Sequence, residues 1–144
     1  MNIKILTTAG VAVLAILAAV FFFNPATAAA EHLAKHKQPF TEEVFRQAQA
    51  DNKLVLIDVF APWCPTCRKQ HKVLNDYFAA NPNSEILVLE VDFDNQKDWV
   101  TYFKAPRQST LVLYRGEQQV WFNVAETRQK PLFAALSEHD KGVN

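Results

Sequence analysis

The stretch that decides the fold of this chain is Leu54-Val55-Leu56-Ile57-Asp58-Val59-Phe60-Ala61-Pro62-Trp63-Cys64-Pro65-Thr66-Cys67. Its first half is an almost unbroken apolar run rich in branched side chains, which predicts a central strand covered on both faces. Because proline is tolerated in the first turn of a helix, Pro65 predicts a helix that begins there and runs to about Ala80. Both cysteines therefore lie where a buried strand passes into a long helix.

Cys64 and Cys67 are the only two cysteines of the chain. At a helix N-terminus, unpaired backbone N–H groups favour a thiolate on Cys64, and we expect its sulfur to be exposed. Cys67 lies near the same helical face, within reach of a mixed disulfide formed on Cys64. A structural disulfide closing so small a loop would remove little entropy from the unfolded chain. The spacing therefore favours redox catalysis, with Cys64 attacking and Cys67 resolving.

His71, four residues after Cys67, leaves two interpretations open. It is either a third ligand beside the two sulfurs for copper(I) or another soft metal, or a solvated residue of the helix. The first interpretation makes the protein a metal-binding module in place of an oxidoreductase. No second cysteine pair exists to complete a tetrahedral site, and we expect neither a resident metal nor another cofactor.

The beginning of the chain reads as an export signal. Lys4 supplies a positive start, residues 5–23 are almost entirely apolar, and the small residues of 25–30 offer a cleavage site. We expect residues 1–30 to be a signal peptide cleaved near Glu31, or an uncleaved membrane anchor, because the apolar run is nearly long enough to span a bilayer. Either outcome places the domain outside the cytoplasm, in a bacterial periplasm.

The rest of the chain predicts one domain. Residues 31–39 are polar and predict a linker, and residues 40–144 have the size of one compact domain. The formal charge of the whole chain is zero, and without Lys4 it is −1, so nothing favours nucleic acid as a partner. We expect a monomer that selects its protein partners by shape and chemistry.

The hydrophobic pattern predicts helices and strands in the order α-β-α-β-α-β-β-α. This order gives an α/β fold, a mixed sheet of four or five strands with helices on both faces. The predicted elements are a helix from Thr41 to about Asp51, a strand over 54–60, the helix over 65–80, a strand over 85–93, a short helix over 95–104, a hairpin over 110–124 and a last helix over 130–140.

With a Trp-Cys-x-x-Cys motif at the end of the first central strand, the chain resembles the thioredoxin family from Phe40 to His139. Asp58 falls where that family keeps a buried acid, Trp63 falls on its active-site tryptophan, and residues 114–117 resemble its hairpin turn. The resemblance implies a thioredoxin fold and a thiol:disulfide oxidoreductase acting on disulfides of partner proteins. It also implies that the residues that bind these substrates are Trp63, Pro65, Ser109 and Thr110.

Two departures from the family pattern concern the site. Ser109-Thr110 stands where the family has a cis proline followed by threonine, and because a cis bond before a non-proline residue costs about 3 kcal/mol, we predict a trans Gln108–Ser109 peptide with Ser109 near the sulfurs. Glu90 stands where the family usually has a lysine. Glu90 either couples to Asp58, each carboxylate raising the other's proton affinity, or points to solvent.

We assign Asp58 and Glu90, with Cys64 and Cys67, as catalytic residues. In this interpretation Asp58 reaches Cys67 through water and acts as the base that activates the resolving thiol. The short segment between Asp94 and Thr110 leaves no room for the helical domain that oxidising relatives of the family insert, which favours a reductase over a thiol oxidase or isomerase. By resemblance to small exported thioredoxins, the electron donor would be a membrane thiol-electron transporter.

Overall fold

The computed structural model describes residues 30–142, so the predicted signal segment lies outside the described residues except for Ala30. A five-stranded mixed sheet, in the order β1-β3-β2-β4-β5, carries helices on both faces. Its elements are α1 (Glu31–His36), β1 (Lys37–Pro39), α2 (Glu42–Ala50), β2 (Leu54–Phe60), α3 (Pro65–Ala80), β3 (Leu87–Asp92), α4 (Lys97–Tyr102), β4 (Thr110–Arg115), β5 (Gln118–Val124) and α5 (Gln129–Ser137). Within this part of the chain, no helix combines the length and apolar character needed to cross a membrane.

β2 is the central strand, as its apolar run predicts. It pairs in parallel with β3 and antiparallel with β4, and residues 54–59 are all buried. Alternate side chains enter two separate cores. Leu54 and Leu56 pack towards α3 and α5, whereas Val55 and Ile57 pack towards α2 and α4. Asp58 shares the face of Leu54 and Leu56, so its carboxylate enters the layer between the sheet and α3.

Residues 31–39, predicted as a linker, are part of the domain, so that prediction is wrong. Leu33 of α1 is buried in the core, and the backbone N–H groups of His32 and Leu33 both donate to Asn75 Oδ1 at 3.0 Å. β1 pairs in parallel with β3, placing Lys37 opposite Val88. Neither element is long enough for a hydrophobic period, and α1 buries one large apolar residue, so the sequence pattern could not reveal them.

The remaining elements follow the prediction, with small shifts at their ends. α2 begins after Thr41, whose Oγ1 accepts the N–H of Val44 at 3.3 Å. β3 ends one residue earlier than predicted, because Asp92 Oδ1 accepts the backbone N–H groups of Asp94 (2.8 Å) and Asn95 (3.1 Å) and turns the chain. In the β4–β5 turn, Gly116 adopts a φ of 55°, a conformation that favours glycine.

A stability prediction follows from Asp140, which is buried and accepts four hydrogen bonds. They come from the hydroxyls of Tyr77 (3.0 Å) and Ser84 (2.5 Å) and the backbone N–H groups of Glu85 (3.1 Å) and Gly142 (3.2 Å). Because Asp140→Ala leaves several donors unpaired, we expect it to lower the free energy of unfolding, measured in urea, by about 2 to 3 kcal/mol. Tyr77→Phe removes one of these bonds and should cost about 1 kcal/mol; equal losses in the two variants would contradict this account.

Candidate active site

The turn from β2 into α3 places the two cysteines against each other. Cys64 is the N-cap residue of α3, and its sulfur accepts the backbone N–H of Cys67 at 3.1 Å. The expectation of an exposed Cys64 sulfur is wrong, since Cys64 is 1% exposed and Cys67 is fully buried. The sulfur of Cys64 points inward because its hydrogen-bond partners lie there.

Ser109 connects the two sulfurs. Its hydroxyl oxygen lies 3.1 Å from Cys64 Sγ and 3.2 Å from Cys67 Sγ. No peptide bond among the described residues is cis, so the predictions of a trans Gln108–Ser109 bond and of Ser109 beside the sulfurs are confirmed. The backbone of Ser109 has a φ of 65°, in the left-handed region that costs a non-glycine residue about 1 kcal/mol or more.

The backbone of Ser109 is held on both sides. Its N–H donates to the carbonyl of Val59 at 2.8 Å, and its own carbonyl accepts from Ala125 N–H (2.8 Å) and Gln70 Nε2 (3.2 Å). These internal bonds hold the left-handed conformation in place. In this structure, therefore, the backbone groups of Ser109 are all bonded within the domain and its hydroxyl lies at the sulfurs, while its role in substrate binding stays a prediction.

Of the other three predicted substrate-binding residues, the structure brings two to the surface. Pro65 is exposed, and Trp63 is 55% exposed, with its indole N–H donating to Asp94 Oδ2 at 2.7 Å. Thr110 is fully buried, and its hydroxyl donates to the carbonyl of Arg107 at 2.7 Å, so its side chain supports the start of β4. A partner protein would therefore meet Trp63 and Pro65 first.

The environments of the two thiols differ. Burial alone would raise the pKa of Cys64, but hydrogen bonds from the Cys67 thiol, the Ser109 hydroxyl and the backbone N–H groups of Cys67 and Thr66 lower it below the ordinary cysteine value. Burial, with the S–H of Cys67 donated to Cys64, raises the pKa of Cys67 to about 11. Cys64 is thus the thiol that ionises first, as a nucleophile must.

A second polar cluster lies one helical turn further along, under α3. The β2–β3 register places Asp58 directly beside Glu90, as the sequence interpretation requires. Asp58 is fully buried, and its Oδ2 lies 2.5 Å from Nε2 of His71. Glu90 Oε2 lies 3.7 Å from the same nitrogen and forms an ion pair with the ammonium of Lys37. His71 therefore lies between the two acids and Lys37 pairs with Glu90, two basic groups that the prediction of a coupled Asp58–Glu90 pair did not include.

Both interpretations of His71 are wrong. Its imidazole is mostly buried, since it stacks on Phe60 with 4.7 Å between the ring centroids, binds Asp58 and leaves 18% of the side chain exposed. It does not join the cysteines as a third ligand either. Across residues 30–142, the one group of three or more metal-ligating side chains whose ligand atoms all lie within 4.8 Å of one another is Asp58, His71 and Glu90, without either cysteine. Since Lys37 and His71 already occupy these carboxylates, we assign the set as a hydrogen-bonded cluster.

Comparison with known proteins gives a consistent result. The family model described as Thioredoxin matches residues 33–138, which includes most of α1 and all of β1. The chain belongs to the thioredoxin family. It is 28% identical to thioredoxin of Alicyclobacillus acidocaldarius, over 68% of this chain and 92% of that protein. Thioredoxin 1 of a Nostoc species is 29% identical over 69% of this chain and 92% of its own length.

Among solved structures, the crystal structure of Trxlp from Edwardsiella tarda is 39% identical, with a TM-score of 0.66 over 69% of this chain and 97% of Trxlp. The predicted thioredoxin fold is therefore confirmed. As a member of the thioredoxin family, the protein is a thiol-disulfide oxidoreductase whose CxxC pair is Cys64 and Cys67, and thioredoxins act on disulfides of proteins.

Sequence reasoning missed how His71 and Lys37 complete this thioredoxin site. A signal for His71 was present, since a residue four positions after Cys67 lies on the same helical face, above the strand that carries Asp58. The sequence contained no comparable signal for Lys37, because β1 has only three residues. At the position of Glu90, where the family usually has a lysine, this chain therefore has an acid that pairs with Lys37 on the neighbouring strand.

The hydroxyl of Ser109 gives a testable prediction about Cys64. In the wild type, the rate of Cys64 alkylation by iodoacetamide, located by mass spectrometry, should reach half its maximum at a pH below that of free cysteine, and Cys67 should stay unmodified until much higher pH. Ser109→Ala removes a donor to the thiolate, so we expect the midpoint for Cys64 to move to higher pH.

Ser109→Gly is the matched control, because glycine also lacks the hydroxyl but accepts the positive φ without strain. Both variants should shift the midpoint equally, while the glycine variant should be more stable to urea than the alanine variant. An unchanged midpoint in both would show that the hydroxyl does not stabilise the thiolate.

Proposed function

We propose that this protein is an exported thioredoxin that reduces disulfides of partner proteins in the periplasm and is itself re-reduced by a membrane thiol-electron transporter. The observation that supports a reductase over an oxidase is the short connection between β3 and β4. That segment contains only the six-residue α4, so no inserted helical domain covers the cysteines. The export signal predicted for residues 1–30 supports the location.

The geometry of the dithiol supports each step of this reaction. The Cys64 thiolate attacks a partner disulfide, forming a bond to one partner sulfur and releasing the other as a thiolate, which takes a proton from solvent. Cys67 then attacks Cys64 Sγ as it loses its proton, forming the Cys64–Cys67 disulfide and releasing the second partner thiol. The two electrons that reduce the partner thus leave the protein's own dithiol, and a donor must return them.

The location of the protein requires such a donor. Outside the cytoplasm, glutathione and cytosolic thioredoxin reductants do not keep thiols reduced. A membrane protein that passes electrons from the cytoplasm through dithiols can supply these electrons by the same exchange. Its thiolate then attacks Cys64 of the Cys64–Cys67 disulfide. Trp63 and Pro65, both exposed beside the motif, offer a docking surface for both donor and client.

The reduction potential tests the direction. Equilibration with defined glutathione and dithiothreitol buffers, followed by trapping of the thiols, should give a value near that of thioredoxin, about −270 mV. A value near about −120 mV would instead make the protein an oxidant of its clients. The Cys67→Ser variant, which cannot close the disulfide, should accumulate mixed disulfides with client proteins and serves as the control for the trapping.

Cell fractionation tests the location. The full chain expressed in a Gram-negative bacterium should appear in the periplasm with a mass starting near Glu31, or in the inner membrane with residues 1–30 retained. Lys4→Glu removes the positive start of the signal and should slow export. Recovery of the full-length chain from the cytoplasm, unaffected by the Lys4 change, would exclude the proposed location.

A further inference from the structure

His71 links a fully buried acid to the solvent side of α3. Asp58 has no exposed surface, whereas the side chain of His71 is 18% exposed. The imidazole nitrogen Nε2 lies 2.5 Å from Asp58 Oδ2. When Asp58 is ionised its carboxylate can only accept hydrogen bonds, so in that state Nε2 carries the hydrogen and donates to it. The other ring nitrogen, Nδ1, is then the atom that can exchange a proton with water.

The position of the imidazole is fixed. It stacks on Phe60 with ring planes 12° apart, and it belongs to α3, one turn after Cys67 on the same helical face. The carboxylate that it contacts therefore lies beneath the part of α3 that carries the resolving cysteine. Asp58 Oδ1, the second oxygen, has no hydrogen-bond partner among the described residues, although it is buried.

A cavity of about 480 Å³ borders the outer side of His71. On the side formed by α1 and the residue before it, the cavity is lined by Ala30, Leu33 and Ala34, which carry no charge. The charged groups around it come from other elements. These are Lys37 of β1, ion-paired with Glu90 of β3, and Arg68, Lys72 and Asp76 of α3. The cavity gives water a route to the histidine but not to Asp58.

The resolving reaction requires a proton acceptor at this place. The pKa of Cys67 is raised to about 11, so its thiol does not ionise spontaneously near neutral pH. Asp58 lies under the same part of α3 and is the base assigned to Cys67 from the sequence, yet a proton added to Asp58 changes the charge of a group that has no exposed surface. Uncompensated charge changes in an apolar interior are costly.

We propose that His71 is a positioning residue for the resolving step. As Asp58 takes a proton from Cys67, His71 releases a proton from Nδ1 to solvent. Before the step the pair is a carboxylate and an imidazolium. As Cys67 sulfur bonds to Cys64 Sγ and the partner sulfur leaves, the thiol proton moves to Asp58 Oδ1 and the proton on Nδ1 moves to water. The pair becomes a neutral acid and a neutral imidazole, and its net charge stays constant.

The return path is the same in reverse. When a donor thiolate breaks the Cys64–Cys67 disulfide, Asp58 gives its proton back to the Cys67 sulfur and Nδ1 takes one from water. Glu90 also faces the imidazole, with its Oε2 3.7 Å from Nε2, and Lys37 pairs with Glu90. This inference rests on the dithiol chemistry of the family and is independent of the proposed direction and location.

A chromogenic aryl disulfide separates the two chemical steps in the full chain. Attack by Cys64 releases the first aryl thiolate, and attack by Cys67 on the mixed disulfide releases the second, so stopped-flow absorbance gives two rates. We expect His71→Gln, which keeps an N–H donor for Asp58 but cannot titrate, to leave the first rate within about twofold and slow the second at least about 10-fold. The pH profile of the second rate should also differ from that of the wild type.

Two further variants separate proton transfer from a structural role. His71→Ala opens space beside the cavity, so added imidazole should restore its second rate, while the glutamine variant should not respond. His36→Gln is the matched control, because His36 also stacks on a phenylalanine, Phe78, but its Nδ1 faces the carbonyl of Ile86. It should leave both rates and the pH profile unchanged.

Three results would overturn the proposal. The first is a second rate in His71→Gln that equals the wild-type rate with the same pH profile. The second is an equal slowing of both rates together with a lowered melting temperature, which would indicate a structural role. The third is the failure of imidazole to restore the second rate of His71→Ala.

Discussion

Asp58 lies in the central strand of the sheet, which is hydrogen-bonded on both sides and covered on both faces, and this placement constrains the whole site. The carboxylate cannot reach water past β3, β4 or α3. An isolated buried charge is strongly unfavourable, so the chain must supply a partner from an element that packs on the same face. α3 supplies His71, and both cysteines lie at the start of the same helix. The partner of the acid and the dithiol are therefore held by one rigid element.

The dithiol depends on a second constraint, the left-handed backbone of Ser109. A proline in its place would require a negative φ and would lose the N–H that binds the carbonyl of Val59. The chain instead uses three hydrogen bonds to hold the strained residue, and the side chain then lies between the two sulfurs. The site therefore has a hydroxyl donor where the family usually has the ring of a proline. The hydroxyl stabilises a thiolate, and the backbone groups of Ser109 are already bonded within the domain.

The sequence allowed most of the fold to be predicted, because β2, α3 and the β4–β5 hairpin have strong periodicity and clear boundary residues. The dithiol and the trans peptide before Ser109 followed from local chemistry, which needs no tertiary information. α1, β1 and the burial of Cys64 were not predictable in this way. α1 and β1 are too short to show a period, and the direction of the Cys64 sulfur depends on Ser109, 45 residues away. The role of His71 was missed because the side-chain contact depends on how α3 lies over β2.

This chain has Glu90 where the family usually has a lysine, and the difference affects the acid-base chemistry of the site. A lysine beside the buried acid would supply a fixed positive charge, since its ammonium stays protonated at neutral pH. Here the basic group nearest to Asp58 is the imidazole of His71, while the lysine on β1 pairs with Glu90. A lysine ammonium would keep its charge throughout the reaction. In the proposed resolving step the imidazole instead gives up a proton as the acid takes one, so the net charge of the buried pair stays constant, which is the property that a resolving thiol with a high pKa requires of its base.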